Sequence, residues 1–172
     1  MVPWKELRAE NLMSTPVLTV TADMTLKEAA DFLSENEISG AVVTDSAATP
    51  VGVISLLDIV SAVAGLERPK EELGGFYRMP APKFDDDEGE TGPELEESED
   101  IDPLESTTVS EIMSPSIIGV PIGTPAQEVA KMMWDRHIHR VFVMKAGMPV
   151  GVISSFDLLG SLAGERRIRA AG

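Results

Sequence analysis

Two short stretches carry the side chains best suited to chemistry. "PVGVISLLD" spans Pro50 to Asp58 and "PVGVISSFD" spans Pro149 to Asp157, with seven of nine letters shared. Each ends in Ser-x-x-Asp: Ser55 with Asp58, and Ser154 with Asp157. At the mouth of a helix such a pair is a cap, the Ser hydroxyl accepting a backbone N–H and the Asp complementing the helix dipole. Capping alone accounts for both residues. The same place also suits a ligand: a helix N-terminus presents N–H donors to an anion, and a carboxylate offers two acceptor oxygens to a vicinal diol. A second constellation is His139-Arg140. Strand alternation puts the two on opposite faces. The pair is either a plain surface feature or a phosphate contact made by the fixed fork of Arg donors and an imidazole. His137 and His139 form a His-x-His expected to share one strand face. Two ligands without a third nearby make no dedicated metal site.

Other chemistries find little support. The chain has no cysteine, so disulfides, a thiol nucleophile and Cys-based zinc are excluded. Gly-x-Ser-x-Gly, Walker and Gly-x-Gly-x-x-Gly motifs are absent, and no enzyme activity is expected. The net charge of −15 is concentrated in residues 85–105, which hold twelve acids and no base. Residues 1–65 carry −6 and residues 107–172 carry +2. No basic face exists for a phosphate backbone, so a nucleic-acid partner is not expected. No run reaches the roughly 20 apolar residues of a membrane helix, and "MVPWKELRAENLM" lacks the apolar core of a signal peptide. The expectation is a cytoplasmic protein with no membrane partner.

The elements that must position these residues come as an internal repeat. At a shift of 100, later 99, the chain aligns with itself at sixteen identities, among them Met13-Ser14 with Met113-Ser114 and Ala30 with Ala130. Each copy reads as strand, helix, strand, strand, helix. In copy one Val17–Val20 is a short strand, and Thr25-x-x-Glu28 is a capping box opening a helix with Leu26, Ala29, Ala30 and Leu33 inward. "ISGAVVTD" and "VGVIS" are strands, the latter apolar enough to be buried on both faces, and a closing helix stops at Gly65. Copy two repeats this plan, with Thr124-x-x-Gln127 as its capping box, Pro125 at the first helical position, and Ala126, Val129, Ala130 and Met133 inward. Met132, Met133 and Trp134 read as core and rim. Neither copy buries much alone, so the expected fold is mixed α/β (α+β): two β-α-β-β-α repeats packed sheet to sheet with pseudo-two-fold symmetry.

The expected organisation is repeat one at 1–65, an insert at 66–106, repeat two at 107–164 and a basic tail at 165–172 with Arg166, Arg167 and Arg169. In the insert, Phe76, Tyr77, Met79 and Phe84 could dock on the globule or on a partner. "DDDEGETGPELEESEDIDP" has the composition of a disordered, solvated linker; the competing reading is a regulatory tail or lid that competes for a cationic pocket.

"LMSTPVLTV", "IMSPSIIGV", "ISGAVVTD", "IHRVFVMK", "VGVISLLDIV" and "VGVISSFDLL", in that order across roughly 110 of the 172 residues, resemble the CBS motif. The tandem resembles a CBS pair, or Bateman module, in stand-alone form; the long acidic insert departs from the family's usual short linker. The resemblance implies a regulatory sensor with no cofactor, binding an adenosine-containing ligand such as AMP, ADP, ATP or S-adenosylmethionine in a cleft between the repeats. It also implies a homodimer of pairs and an unidentified regulated protein partner. Transferred to this chain, the ligand-binding residues are Ser55, Asp58, Ser154, Asp157, His139, Arg140, Ile117 and Ile118. The Asp residues would accept ribose hydroxyls, and His139 and Arg140 would contact phosphate. The phosphate-preferring cleft would be composite, taking Asp58 from the other copy. The competing expectation is a structural or interaction module whose Ser-x-x-Asp is only a cap and whose acidic insert is the working surface.

Overall fold

The computed structural model describes residues 4–66, 75–77 and 102–164. A short helix α1 (Ala9–Leu12) leads copy one, followed by β1 (Thr19–Thr21), α2 (Leu26–Glu35), β2 (Gly40–Thr44), β3 (Pro50–Ser55) and α3 (Leu56–Val63). After α4 (Pro103–Ser106), copy two runs α5 (Val109–Ile112), β4 (Gly119–Pro121), α6 (Ala126–Arg136), β5 (Arg140–Lys145), β6 (Met148–Ser154) and α7 (Ser155–Leu162). Two three-stranded sheets form, ordered β1-β2-β3 and β4-β5-β6. In each the first strand is parallel to the second, and the second is antiparallel to the third. The expected repeat of strand, helix, strand, strand, helix is what forms, with the first strand two residues later than expected.

The strands bury both faces. In β2 and β3, Ala41, Val43 and Ile54 pack with Leu26, Ala29 and Leu33 of α2 and Ile59 of α3. Val42 and Val53 face the other way, into a central cluster with Val141, Phe142, Val143 and Ile153 of copy two. The period-2 alternation thus gives the copy-one sheet one layer toward its own helices and one toward the opposite sheet, while the copy-two strands and helices share the central cluster. Two pieces of the 66–106 stretch also belong to the fold: Phe76 and Tyr77 in the central cluster, and α4, whose Glu105 meets Lys27 at 3.4 Å. Met79, Phe84, residues 85–101 of the acidic run and the arginines of the tail lie outside the described residues.

The leading segment of each copy serves the opposite copy. Ser14 and Val152 exchange both backbone N–H···O bonds, at 2.9 and 3.1 Å, and Ser114 and Val53 do the same at 2.9 Å each. A Cβ on Gly52 would lie 2.5 Å from the Ser114 carbonyl oxygen, and one on Gly151 would run into the Met13 side chain. The glycine in "PVGVIS" therefore marks where the crossing segment passes. Arg8 and Glu10 fasten the same arrangement: Arg8 Nη1 donates to the Gly123 carbonyl at 2.7 Å, and Glu10 accepts from Gly123 N–H at 2.6 Å.

The caps differ between copies. Thr25 and Glu28 form the expected reciprocal box, with bonds of 2.9 and 3.2 Å. The box expected at Thr124 and Gln127 does not form. Pro125 is the N-cap of α6, and Thr124 Oγ1 donates back to the Pro121 carbonyl at 2.7 Å. The first N–H of α6, at Ala126, is satisfied by the Leu7 carbonyl at 2.9 Å. Its copy-one equivalent, Leu26, donates to Thr107 at 3.0 Å. Each long helix is capped from the leading segment of the other copy.

Candidate functional site

At the mouth of α3, Ser55 is the N-cap. Its Oγ accepts from Asp58 N–H at 3.3 Å and donates to Asp58 Oδ2 at 2.6 Å, while Ser55 N–H donates to the same Oδ2 at 2.8 Å. The cap thus uses one carboxylate oxygen. The other, Oδ1, accepts from Gly75 N–H at 3.1 Å. Both Ser55 and Asp58 are buried.

At the mouth of α7, Ser154 and Asp157 form the same box, with bonds of 2.6, 2.7 and 3.3 Å. This pair is only half-buried. Among the described residues, no donor reaches Asp157 Oδ1. The two copies therefore share the cap and differ in what meets the second oxygen.

Gly75, Phe76 and Tyr77 bring the remaining candidate residues to Asp58. Tyr77 Oη accepts from Ile118 N–H at 2.7 Å, while the Ile118 carbonyl is taken by Phe142 N–H in the sheet. The Tyr77 carbonyl accepts from His139 N–H at 2.8 Å. The Phe76 ring stacks on Phe142, centroids 5.0 Å apart and planes 5° from parallel. Arg140 lies 5.3 Å from the centroid of the Phe76 ring, within cation–π range. Ser55 and Asp58 from copy one and Ile118, His139 and Arg140 from copy two thus all meet the Gly75–Tyr77 segment. Ile117 packs at the margin of the central cluster. Ser154 pairs with Arg140 across β5 and β6, and Ser155 N–H donates to the His139 carbonyl at 2.9 Å, so the α7 mouth adjoins the base of β5.

The electrostatics follow from burial. His139 Nδ1 is buried with no hydrogen-bond partner. Desolvation, then the neighbouring Arg140 guanidinium, hold its pKa below the ordinary imidazole value, against a smaller opposing effect of the nearby Tyr77 backbone. At neutral pH the ring is uncharged. Burial likewise pushes the Tyr77 phenol well up from its usual range, so it stays a neutral hydroxyl.

The expected shared strand face of His137 and His139 does not exist. His137 is the C-cap of α6 in the left-handed conformation, φ 54° and ψ 43°, and β5 begins only at Arg140. Among the described residues no three His, Asp or Glu side chains gather as a metal site. Met133 is buried and Trp134 is exposed. Sequence reading placed Phe76 and Tyr77 as able to dock but did not assign them to the cleft. Their signal was an aromatic pair in an otherwise polar insert, matched by Gly40 in copy one where copy two has Arg140. A Cβ at Gly40 would lie 2.5 Å from Phe76 Cδ2.

Two other surface features stand apart. Val60 and Val63 on α3, and Phe156, Leu159 and Leu162 on α7, are exposed apolar residues. Val60 and Leu159 are equivalent in the repeat, as are Val63 and Leu162. An open groove of about 480 Å³ beside β4 and α6, lined by Pro121, Thr124, Glu128, Lys131 and Asp135 among others, contains none of the candidate residues. Among the described residues no helix is long and apolar enough to cross a membrane.

Comparison with known proteins bears on this arrangement. The chain matches the CBS domain over residues 9–65 and 109–164. It is similar to the uncharacterized protein MJ1404 of Methanocaldococcus jannaschii, 24% identical over 159 residues. That similarity covers 92% of this chain but 32% of the relative, so the chain spans about a third of its length. Among solved structures it resembles the CBS domain pair of protein MJ0100 in complex with 5′-methylthioadenosine and S-adenosyl-L-methionine. The TM-score is 0.62 at 20% identity, covering 93% of this chain and 98% of that one. It also resembles the cytosolic domain of the Mg²⁺ channel MgtE in complex with ATP. There the TM-score is 0.58 at 23% identity, covering 90% of this chain and 48% of that one. At these identities the likeness is one of fold.

Proposed function

The chain belongs to the CBS-domain family, and from that premise we propose that it is a regulatory sensor rather than a catalyst. Its ligand is an adenosine-containing small molecule, an adenine nucleotide or S-adenosylmethionine, taken in the composite cleft between the repeats. The observation that carries this reading is the convergence of complementary groups from both copies on one place. Asp58 Oδ1, which takes no part in the cap and accepts from Gly75 N–H, is an acceptor of the kind that suits a ribose hydroxyl. Ile118 N–H is a backbone donor suited to a ring nitrogen. Arg140 and His139 supply donors for an anionic group. The adenosine compounds and ATP bound by the similar folds support the choice of ligand class. Binding would act by differential affinity for alternative arrangements of the repeats, read by a partner protein. The apolar stripes on α3 and α7 support a homodimer of pairs, since exposed patches of this kind mark interaction surfaces.

A second reading is favoured by one observation: the cleft is filled by Gly75–Tyr77, as in a module that binds no small molecule. Thermal unfolding against AMP, ADP, ATP, S-adenosylmethionine, NAD and GTP separates the two. A ligand that binds only the folded chain raises Tm by mass action, about 2.7 kcal/mol of added stability at a hundredfold excess over Kd. The sensor reading expects a shift from at least one adenine compound, lost in Asp58→Ala. No shift from any of them would leave the interaction module.

A further inference from the structure

We propose that Gly75–Tyr77 is a built-in occupant of the composite cleft, which an adenosine ligand must displace before it can bind. This rests on the sensor reading above and adds its regulation: the cleft is closed in cis, and ligand binding frees a segment of the inter-repeat insert.

The occupant matches the site contact by contact. Gly75 N–H donates to Asp58 Oδ1 at 3.1 Å, where a hydroxyl could donate. Tyr77 Oη accepts from Ile118 N–H at 2.7 Å, where a heteroaromatic nitrogen could accept. The flat Phe76 ring lies against Phe142 and near Arg140, where a purine would find the same stacking and cation. The Tyr77 and Phe142 rings meet edge to face with centroids 6.4 Å apart, closing the cluster. Phe76 is 3% exposed and Tyr77 fully buried, so no ligand reaches these groups while the segment is seated.

The fit is also steric. A Cβ on Gly75 would lie 2.7 Å from Leu57 Cβ and 2.8 Å from Ser55 Oγ. A Cβ on Gly40 would strike the Phe76 ring. Both glycines are where the segment presses on copy one. The occupancy is one-sided, because Asp157 receives no such contact among the described residues.

One group stays unsatisfied. His139 Nδ1 is buried without a hydrogen-bond partner, and the Tyr77 carbonyl of the seated segment takes its bond from the backbone N–H of that residue. A ligand carrying an anionic or hydroxyl group beside Arg140 would supply what the segment lacks. That difference gives a ligand a means of winning the cleft, since only differential affinity shifts such an equilibrium.

The test combines titration calorimetry with hydrogen exchange on the full chain, using AMP and S-adenosylmethionine as separate probes. Two variants are compared with wild type. Phe76→Ala/Tyr77→Ala removes the rings, and Tyr77→Phe keeps the ring but removes the Ile118 contact. A site open a tenth of the time has its apparent Kd raised about tenfold. The double variant is therefore expected to bind a probe at least about tenfold more tightly. Tyr77→Phe should bind about threefold or more tightly, because it leaves a buried N–H unpaired in the closed form. In wild type, saturating probe is expected to speed exchange at the Gly75–Tyr77 amides. A probe that binds only the variants also supports the proposal. Binding with unchanged protection at Gly75–Tyr77 and equal affinity in all three chains would overturn it and leave the sensor reading intact. Absence of binding in every chain, with the variants folded by circular dichroism, would end both.

Discussion

The repeat supplies its own control for the cleft. Asp58→Ala and Asp157→Ala remove the same capping box from equivalent helices. At Asp157 the loss is that box alone, half-buried, with bonds to Ser154 N–H and Oγ. Removing such a cap costs about 1–2 kcal/mol. At Asp58 the box is buried and a further bond, from Gly75 N–H, is lost. A hydrogen bond to a charged group contributes about 1.5–3 kcal/mol. Asp58→Ala should therefore exceed Asp157→Ala by about 2 kcal/mol, near 4–8 °C in Tm for a chain of this size. Urea unfolding monitored by circular dichroism, with m-values compared to keep the two-state condition in view, measures both. A double-mutant cycle with Phe76→Ala/Tyr77→Ala isolates the part owed to Gly75: the excess at position 58 should shrink when the segment no longer seats. Equal losses at the two positions, or an excess left unchanged in the cycle, would refute the contact between Asp58 and Gly75.

Three further outcomes are expected. Because the folded-state pKa of His139 lies below its unfolded value, its contribution is fully present above about pH 6.5 and is lost as pH falls through that value toward the folded pKa. As pH falls below about 6.5, wild type should lose Tm more steeply than His139→Gln, with carboxylates such as Glu111, held low by Thr108, entering only at lower pH. Parallel slopes would contradict the burial of that ring. Gly52→Ala should destabilise by about 1–3 kcal/mol and by more than Gly151→Ala, since the first meets the Ser114 backbone and the second the more adaptable Met13 side chain; chemical denaturation ranks them. Val60→Glu with Leu159→Glu should convert a dimer to monomer in light scattering with little change in monomer stability, because both side chains are exposed.

Much of the fold was legible because its signals are local and doubled. The spacing of Leu26, Ala29 and Leu33 and the box at Thr25 and Glu28 require no distant partner. What the sequence concealed depends on contacts across the chain. Thr124 looked like a cap, but Leu7, 119 positions before Ala126, supplies the carbonyl that α6 needs. His137 looked like part of a strand because "IHRVFV" is β-rich, yet the preceding helix extends to Arg136 and closes through His137 in the left-handed region. The sequence left open whether Phe76 and Tyr77 dock on the globule or on a partner, and it did not say which residues they would meet. An aromatic pair that begins 18 positions beyond Asp58 gives no sequence signal of its register with Ile118 and His139. Only the packed sheets place those groups around it.

The central claim is that one cleft, built from both repeats, takes an adenosine ligand. Titration calorimetry of the best-shifting adenine compound tests it most directly, on wild type, Asp58→Ala, Arg140→Ala and Asp157→Ala. The account predicts that affinity at the tighter site falls at least about tenfold in both Asp58→Ala and Arg140→Ala, one bonded contact being about 1.4 kcal/mol or more, and is retained in Asp157→Ala. Loss in Asp157→Ala with retention in the other two would contradict it.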